Sequence, residues 1–208
     1  MTRRLVIATK NPKKLSEMKQ ILAPLGCEIV SVEEVCPGVE TAVEDGKTFR
    51  ENAEKKALWY AEQCGEICVA DDSGLEVDAL GGAPGVHSSR YAGKEGDDAA
   101  NNAKLLKEME GVPEERRGAQ FRCVIAIASP GEVHCTTEGV VRGRILESPR
   151  GEGGFGYDPL FLYPEWGATF AEVDGSQKAE VSHRGLALEQ LRRYLPSLLS
   201  IIENRHNF

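Results

Sequence analysis

Two neighbouring aspartates, Asp71 and Asp72, open a stretch rich in glycine and serine, ADDSGLEVDALGGAPGVHSSRYAG. Two further acids, Glu44 and Asp45, stand just before a predicted helix. Magnesium takes oxygen ligands and commonly uses one or two carboxylates together with substrate phosphates, so these acids could hold Mg²⁺. Asp, Ser and Gly are also common turn formers, and a plain turn is the alternative interpretation of DDSG.

A lysine-rich segment, TKNPKK at residues 9–14, could bind phosphate. It falls between a predicted strand and a predicted helix, where Asn11 is a good N-cap and Pro12 suits the first helical position. The N–H groups of a helix N-terminus and three lysines within five residues favour an anion. A solvated lysine run is the alternative, and the segment lacks the glycines and the G-K-[ST] ending of a Walker A loop.

A third segment, RGEGGFGYDPLF at residues 150–161, carries two aromatic rings. Its glycines match G-x-G-x-x-G by spacing, but Pro159 follows where a helix should open, so it is not a dinucleotide fingerprint. Phe155 and Tyr157, with Asp158 beside them, could place a ring against a nucleobase. A loop that only covers the core is the alternative.

The fourth segment is KAEVSHRG, residues 178–185. Ser182 is a predicted N-cap, which places His183 and Arg184 in the first turn of the last helix. Cations there oppose the helix dipole, which suggests a ligand that accepts their charge. A solvent-facing turn is the alternative.

These segments need a frame of strands and helices to position them, and hydrophobic periodicity predicts an alternating order. Arg3–Thr9, a helix capped by Asn11 and Glu28–Val32 form a β-α-β opening. A helix with a Thr48–Glu51 capping box ends at Gly65 and precedes a strand, Ile67–Asp71, that delivers the aspartates at its carboxyl end. The remaining predicted elements are a helix at Asp97–Met109, a hairpin of Ala119–Ser129 and Val133–Arg144 around Pro130-Gly131, a loop from Glu147 to Phe161, and a last helix from Ser182 that Pro196 restarts or bends. This alternation predicts an α/β fold with a mixed central sheet flanked by helices.

Composition sets limits on partners and location. A length of 208 residues fits one large domain or two closely joined lobes, and a hydrophobic content of 41% is ordinary for a globular protein that buries a core. A net charge of −8 argues against general nucleic-acid binding, and the longest apolar runs are too short to span a membrane. Cys64 and Cys68 are spaced C-x-x-x-C, which matches neither the usual redox motif nor a zinc knuckle. We therefore expect a cytoplasmic protein with reduced thiols.

Taken in order, ATKNPKK, TFRENAEKKA, the DDSG stretch, GGFGYDPLF and KAEVSHRG resemble the inosine triphosphate pyrophosphatase family over nearly the whole chain. The resemblance implies a single domain, residues 1–208, with two lobes around a long central cleft, and a homodimer. It also implies magnesium-dependent hydrolysis of ITP, dITP and XTP to the monophosphate and pyrophosphate, by attack of water on the α-phosphorus.

The resemblance assigns roles to individual residues. Asp72 is implied as general base and magnesium ligand, Glu44 as a further magnesium ligand and Ser73 as a substrate contact. The residues implied to hold the triphosphate are Thr9, Lys10, Asn11, Pro12, Lys13 and Lys14. Those implied to form the nucleotide pocket are Phe155, Gly156, Tyr157, Asp158, Lys178, His183 and Arg184. The family often has glycine where this chain has Lys13, which puts the local backbone geometry in question.

Two other functions are compatible with parts of the sequence. A non-catalytic nucleotide sensor would need the lysines and aromatics but not the acids, so the presence of Glu44, Asp71 and Asp72 argues against it. A pyrophosphatase for other modified nucleotides, such as pyrimidines, would share the phosphate site and differ only in the base pocket.

Overall fold

The computed structural model describes residues 4–205, with backbone only for 203–205. The predicted start of the first strand at Arg3 lies outside the described residues. The strands are β1 Arg4–Ile7, β2 Glu28–Ser31, β3 Cys68–Val77, β4 Gly118–Ser129, β5 Glu132–Ile145, β6 Phe161–Tyr163 and β7 Ala168–Thr169. The α-helices are α1 Pro12–Leu22, α2 Val32–Val35, α3 Phe49–Cys64, α4 Asp98–Glu108, α5 Gly175–Val181 and α6 His183–Arg205. No helix of the described chain combines the length and the apolar character needed to cross a membrane.

The strands form one mixed sheet, which confirms the predicted fold class. Their order is β2-β1-β3-β4-β5-β6-β7. β1 pairs in parallel with β2, where Val6 faces Val30, and with β3, where Ile7 faces Val69. β6 runs antiparallel to both β5 and β7. The predicted β-α-β opening and the β4–β5 neighbours around Pro130-Gly131 are both present.

The chain divides into two compact units. Unit 1 comprises the described residues of 4–72, 124–139 and 184–205, and unit 2 comprises 73–123 and 140–183. In unit 1, fully buried apolar side chains come from β1, α1, α3 and α6; they include Leu5, Ile7, Met18, Ala57 and Leu188. The hydroxyl of Thr137 on β5 donates to the carbonyl of Ala187 on α6 at 2.8 Å and ties that helix to the sheet.

Unit 2 has its own core, centred on aromatic rings. The ring centroids of Phe121 and Phe161 lie 4.5 Å apart, and those of Phe161 and Phe170 lie 5.1 Å apart. Such tilted contacts suit the ring quadrupoles. Arg117 is buried beside this core, and its guanidinium donates to the carbonyls of Met109, Val112, Ile145 and Leu146. Met109 directly follows α4, so these bonds fix the end of that helix.

Four details differ from the sequence predictions. β3 continues to Val77, so DDSG lies inside a strand and the turn interpretation is wrong. The short helix α2 follows β2, and α5 precedes α6; neither was predicted. α6 continues through Pro196, so the predicted restart of the helix there is wrong. The carboxylate of Glu51 accepts the N–H of Lys47 at 2.7 Å, rather than that of Thr48 as a capping box requires.

Candidate functional site

The two aspartates share a strand but have separate surroundings. Successive side chains on a strand point to opposite faces, so Asp71 and Asp72 face apart. Asp71 is 1% exposed and Asp72 is 6% exposed. Buried carboxylates need partners, and each finds them on a different element of unit 1.

Asp71 is surrounded by cations. The Lys14 ammonium lies 3.0 Å from its Oδ2, and Nη2 of Arg184 lies 3.2 Å from the same oxygen. Nε of Arg184 also contacts that oxygen at 3.3 Å, and Nη1 lies 2.6 Å from Glu17 on α1. Burial disfavours ionisation of Asp71, but the charges of Lys14, Arg184 and Lys56 outweigh it and hold the pKa of this carboxyl well below its usual range. Asp71 is therefore ionised at neutral pH and anchors α1 and α6.

This ion-pair network gives Arg184 charge partners that the sequence could not show. Arg184 was expected to need a ligand because its charge opposes the helix dipole, but Asp71 and Glu17 balance that charge. Arg184 is 1% exposed, so the solvent-facing alternative is wrong as well. The predicted helix start itself is confirmed, because α6 begins at His183.

Asp72 has the opposite electrostatic setting. Burial and the nearby charge of Glu44 raise its pKa to about 6, although Lys56, Lys14 and a hydrogen bond from Asn52 act against the rise. The amide Nδ2 of Asn52 donates to Oδ2 of Asp72 at 3.0 Å. A carboxyl group with this pKa is mostly ionised at neutral pH. Because its pKa lies close to neutral pH, it can also accept a proton during a reaction.

Lys56 links the acids. Its ammonium lies 2.7 Å from Glu44 and donates to the backbone carbonyl of Asp71 at 2.9 Å. Burial lowers its pKa, but the carboxylates of Asp71, Glu44 and Asp72 outweigh this and leave the pKa of Lys56 above its ordinary value. Sequence reasoning missed Lys56 and Asn52. Their signal was the i, i+4 spacing within TFRENAEKKA, which places both on one face of α3.

The lysine-rich segment forms the predicted helix start, but its lysine side chains contact different groups. Oδ1 of Asn11 accepts the N–H groups of Lys13 and Lys14, and Pro12 opens α1, so the predicted cap is confirmed. Lys14 turns to Asp71, whereas the Lys10 ammonium lies 3.4 Å from Glu33 and donates to the carbonyl of Val39 at 2.6 Å. The side chain of Thr9 accepts the N–H of Asn11 at 3.2 Å, and Lys13 is exposed.

The acids suit the magnesium ion that the resemblance implies. Glu44 and Asp72 are oxygen donors whose mutual repulsion contributes to the raised pKa of Asp72, and a divalent cation would relieve that repulsion. Within residues 4–205 no group of three or more His, Cys, Asp or Glu side chains could hold a metal by itself. Two carboxylates completed by substrate phosphates are the usual donor set for Mg²⁺.

Unit 2 contributes a second polar cluster, formed by Phe155, Asp158 and Lys178. The Lys178 ammonium lies 2.6 Å from Oδ2 of Asp158 and 4.4 Å from the centroid of the Phe155 ring. The same carboxylate oxygen accepts the N–H of Phe155 at 2.9 Å. Asp158 and Lys178 are both buried, and Phe155 is half-buried. The cluster thus presents one aromatic ring with a cation over its face.

Two other residues expected in the nucleotide pocket have structural neighbours in unit 2. Tyr157 is 4% exposed and its hydroxyl donates to the carbonyl of Ser88 at 2.8 Å, so the core-covering alternative describes this ring. His183 is 5% exposed and its ring stacks on Phe121, with centroids 4.8 Å apart. Ser73 is half-buried on β3, next to Asp72.

Comparison with known proteins gives consistent matches along most of the chain. A model of the Ham1 family matches residues 5–194. The dITP/XTP pyrophosphatase of Desulforamulus reducens is 56% identical over 196 residues, covering 94% of this chain and 96% of that protein. The dITP/XTP pyrophosphatase of Bacillus subtilis strain 168 is 47% identical over 190 residues, covering 91% and 96%.

Solved structures of proteins from the same group also match this chain. A HAM1 protein from Coxiella burnetii matches with a TM-score of 0.84 and 42% identity, covering 94% of this chain and all of that one. A nucleoside-triphosphatase, dITP/XTP pyrophosphatase, from Mycobacterium abscessus matches with a TM-score of 0.73 and 46% identity, covering 90% and 98%.

Proposed function

The chain belongs to the Ham1 family, and we propose that it hydrolyses the non-canonical purine nucleotides dITP, ITP and XTP to the monophosphate and pyrophosphate in a magnesium-dependent reaction. Relatives that share about half of its sequence over nearly their whole length bear the name dITP/XTP pyrophosphatase. The observation that carries the proposal is the pair Asp72 and Glu44 beside the buried ammonium of Lys56.

In the proposed reaction water attacks the α-phosphorus and pyrophosphate leaves. Asp72 accepts the proton of the attacking water, a task that suits a carboxylate with a pKa of about 6. Asp72 and Glu44 would hold Mg²⁺, whose charge reduces the repulsion between the nucleophile and the anionic triphosphate. Lys56 keeps Glu44 in place and adds positive charge where negative charge develops.

The triphosphate is assigned to the beginning of α1. Lys14 lies in the first turn, where its ammonium and the positive end of the helix dipole favour an anion. Asp71 and Arg184 act behind it, because Asp71 fixes the Lys14 ammonium and Arg184 fixes Asp71. We therefore assign Arg184 as a positioning residue.

The base is assigned to the cluster around Phe155. Its ring offers a stacking surface, and Lys178 beside it can only donate hydrogen bonds. Hypoxanthine and xanthine present an oxygen at C6, which accepts such a donor, whereas adenine presents an amino group that leaves it unpaired. An unpaired buried donor costs about 1–3 kcal/mol, so this contact alone disfavours ATP by roughly 5- to 150-fold.

The deciding experiment measures pyrophosphate release by the purified protein from dITP, ITP, XTP, GTP, ATP and a pyrimidine triphosphate, with Mg²⁺ and with excess chelator. We expect turnover of the first three nucleotides, dependence on Mg²⁺, and a loss of kcat of about 10²–10⁴-fold in Asp72→Asn. Binding without turnover would favour the nucleotide sensor. A preference for the pyrimidine would favour the other class of pyrophosphatase.

We also propose that the protein is a cytoplasmic homodimer, as the family resemblance and the composition suggest. Light scattering after size exclusion should give twice the 22.7 kDa of one chain. A mass of one chain at micromolar concentration would contradict the dimer. Cell fractionation tests the location.

A further inference from the structure

Helix α4 holds both backbone polar groups of Gly156, the residue that follows Phe155 in its loop. Oδ2 of Asp98 accepts the N–H of Gly156 at 2.8 Å, and Nδ2 of Asn102 donates to the carbonyl of Gly156 at 2.8 Å. Asp98 and Asn102 are four residues apart, so both lie on the same face of α4. The sequence analysis singled out neither residue.

The amide of Asn102 has only one workable orientation. Its Nδ2 also donates to the backbone carbonyl of Asp98 at 2.8 Å, so reversing the amide would set an oxygen against two carbonyl oxygens. In the observed orientation Oδ1 of Asn102 is buried and finds no hydrogen-bond partner among residues 4–205. The side chain thus leaves one of its own groups unsatisfied while its donors hold the loop and the helix.

The two hydrogen bonds from α4 hold the residue next to the proposed base-stacking ring. Gly156 has a φ of +61°, a conformation that glycine adopts readily, and it separates Phe155 from the buried Tyr157. The N–H of Phe155 is held by Asp158. Segments whose backbone groups are left to solvent open readily, so the two hydrogen bonds to Gly156 help to fix the position of the neighbouring Phe155 ring.

We propose that Asp98 and Asn102 are positioning residues for base recognition, which hold the Gly156 peptide so that Phe155 and Lys178 meet the purine in one geometry. The inference rests on the proposed function and deepens it. Removing either side chain frees the loop, so the base loses a preformed partner while the acids of unit 1 keep their own contacts.

The first test is steady-state kinetics of Asn102→Ala and Asp98→Ala with ITP and ATP. We expect KM for ITP to rise about fivefold in Asn102→Ala and about tenfold in Asp98→Ala, where the lost acceptor is charged, with kcat within about twofold of wild type. The ratio of kcat/KM for ITP over ATP should fall. Asp98→Asn keeps an oxygen that can accept the Gly156 N–H and should restore most of the affinity. Lys107→Ala, at an exposed position on the last turn of α4, is the matched control and should behave as wild type.

The second test is a double-mutant cycle with Phe155→Ala. If the hydrogen bonds to Gly156 act through the ring, Asn102→Ala should add less than about twofold to KM in the Phe155→Ala background. Unchanged KM in the single variants, a uniform loss of kcat that tracks the folded fraction, or full additivity with Phe155→Ala would each overturn the inference. A wild-type protein that hydrolyses none of the triphosphates would instead overturn the proposed function, and this inference with it.

Discussion

The ion pairs of Arg184 predict that this side chain stabilises the fold, whereas its place at the start of α6 suggested only a contact with a ligand. Arg184 is 1% exposed and its guanidinium contacts Asp71 and Glu17 at 3.2 and 2.6 Å. Replacing it with methionine keeps much of the side-chain volume but removes the charge. Asp71 then retains Lys14, while Glu17 loses its buried partner.

The expected cost follows from burial. Removing one partner of a buried ion pair destabilises a protein by about 3–5 kcal/mol, because the other charge stays in a low dielectric. For a chain of 150–250 residues, each 1 kcal/mol lowers Tm by about 2–4 °C. Arg184→Met should therefore lower Tm by about 6–20 °C without any nucleotide present.

Differential scanning calorimetry in chelator measures this directly. Arg193→Met is the matched control, because Arg193 lies on the same helix with its side chain 71% exposed and pairs with Glu189 at 3.4 Å. Its Tm should shift by less than about 2 °C, as surface pairs contribute little. An unchanged Tm in Arg184→Met, with only KM raised, would refute the structural role and return Arg184 to the substrate.

Three further predictions follow from the contacts. Lys56→Met should lower kcat for ITP about 10²–10³-fold, as loss of a preorganised charge does, whereas Lys55→Met at an exposed position should leave pyrophosphate release unchanged; equal effects would contradict the role of Lys56. In Gly154→Ala the new Cβ would collide with the carboxylate of Asp158, so KM for ITP should rise about tenfold, which corresponds to about 1.4 kcal/mol, and an unchanged KM would contradict the packing. Burial, with Cys36 nearby, raises the pKa of the Cys64 thiol from an ordinary 9.0 to about 11. Because only the thiolate reacts, alkylation of Cys64 by iodoacetamide should speed up about tenfold per pH unit between about pH 9 and 10, and a plateau there would disprove the shift.

The sequence predicted the elements that depend on local chemistry. Asn11 and Pro12 set the start of α1 through a cap and a fixed φ, and both act within four residues. Pro130-Gly131 likewise marks the turn between β4 and β5. The residues on either side of this pair have the apolar or alternating pattern of strands. Each of these signals is complete within a short window of the chain.

The candidate site depends on contacts that no short window contains. Asp71 and Arg184 are 113 positions apart, so the sequence could show a misplaced cation but not its partner. DDSG has the composition of a turn, yet it lies within β3. Lys14, Lys56 and Arg184 balance the charge of the buried Asp71 carboxylate, and the sheet supplies hydrogen-bond partners for the backbone. Tertiary charge pairing here overrides the local turn preference.

Adjacent aspartates with opposite surroundings should respond to the same substitution in opposite ways. The pKa of Asp72 is raised from 3.8 to about 6, first by burial, so its ionisation opposes folding, and this loss of stability grows as pH rises from about 4 to 6. A shift of this size corresponds to about 3 kcal/mol at pH 7, so Asp72→Asn should be more stable than wild type by up to that amount, with kcat lowered about 10²–10⁴-fold. Asp71 has a lowered pKa and supports folding when ionised, so Asp71→Asn should lose about 3–5 kcal/mol as Lys14 and Arg184 lose their shared partner. Urea unfolding at pH 7 in chelator gives both values. If Asp72→Asn were the less stable of the two variants, its carboxylate would be a structural anchor, and the proton acceptor of the reaction would have to be sought elsewhere.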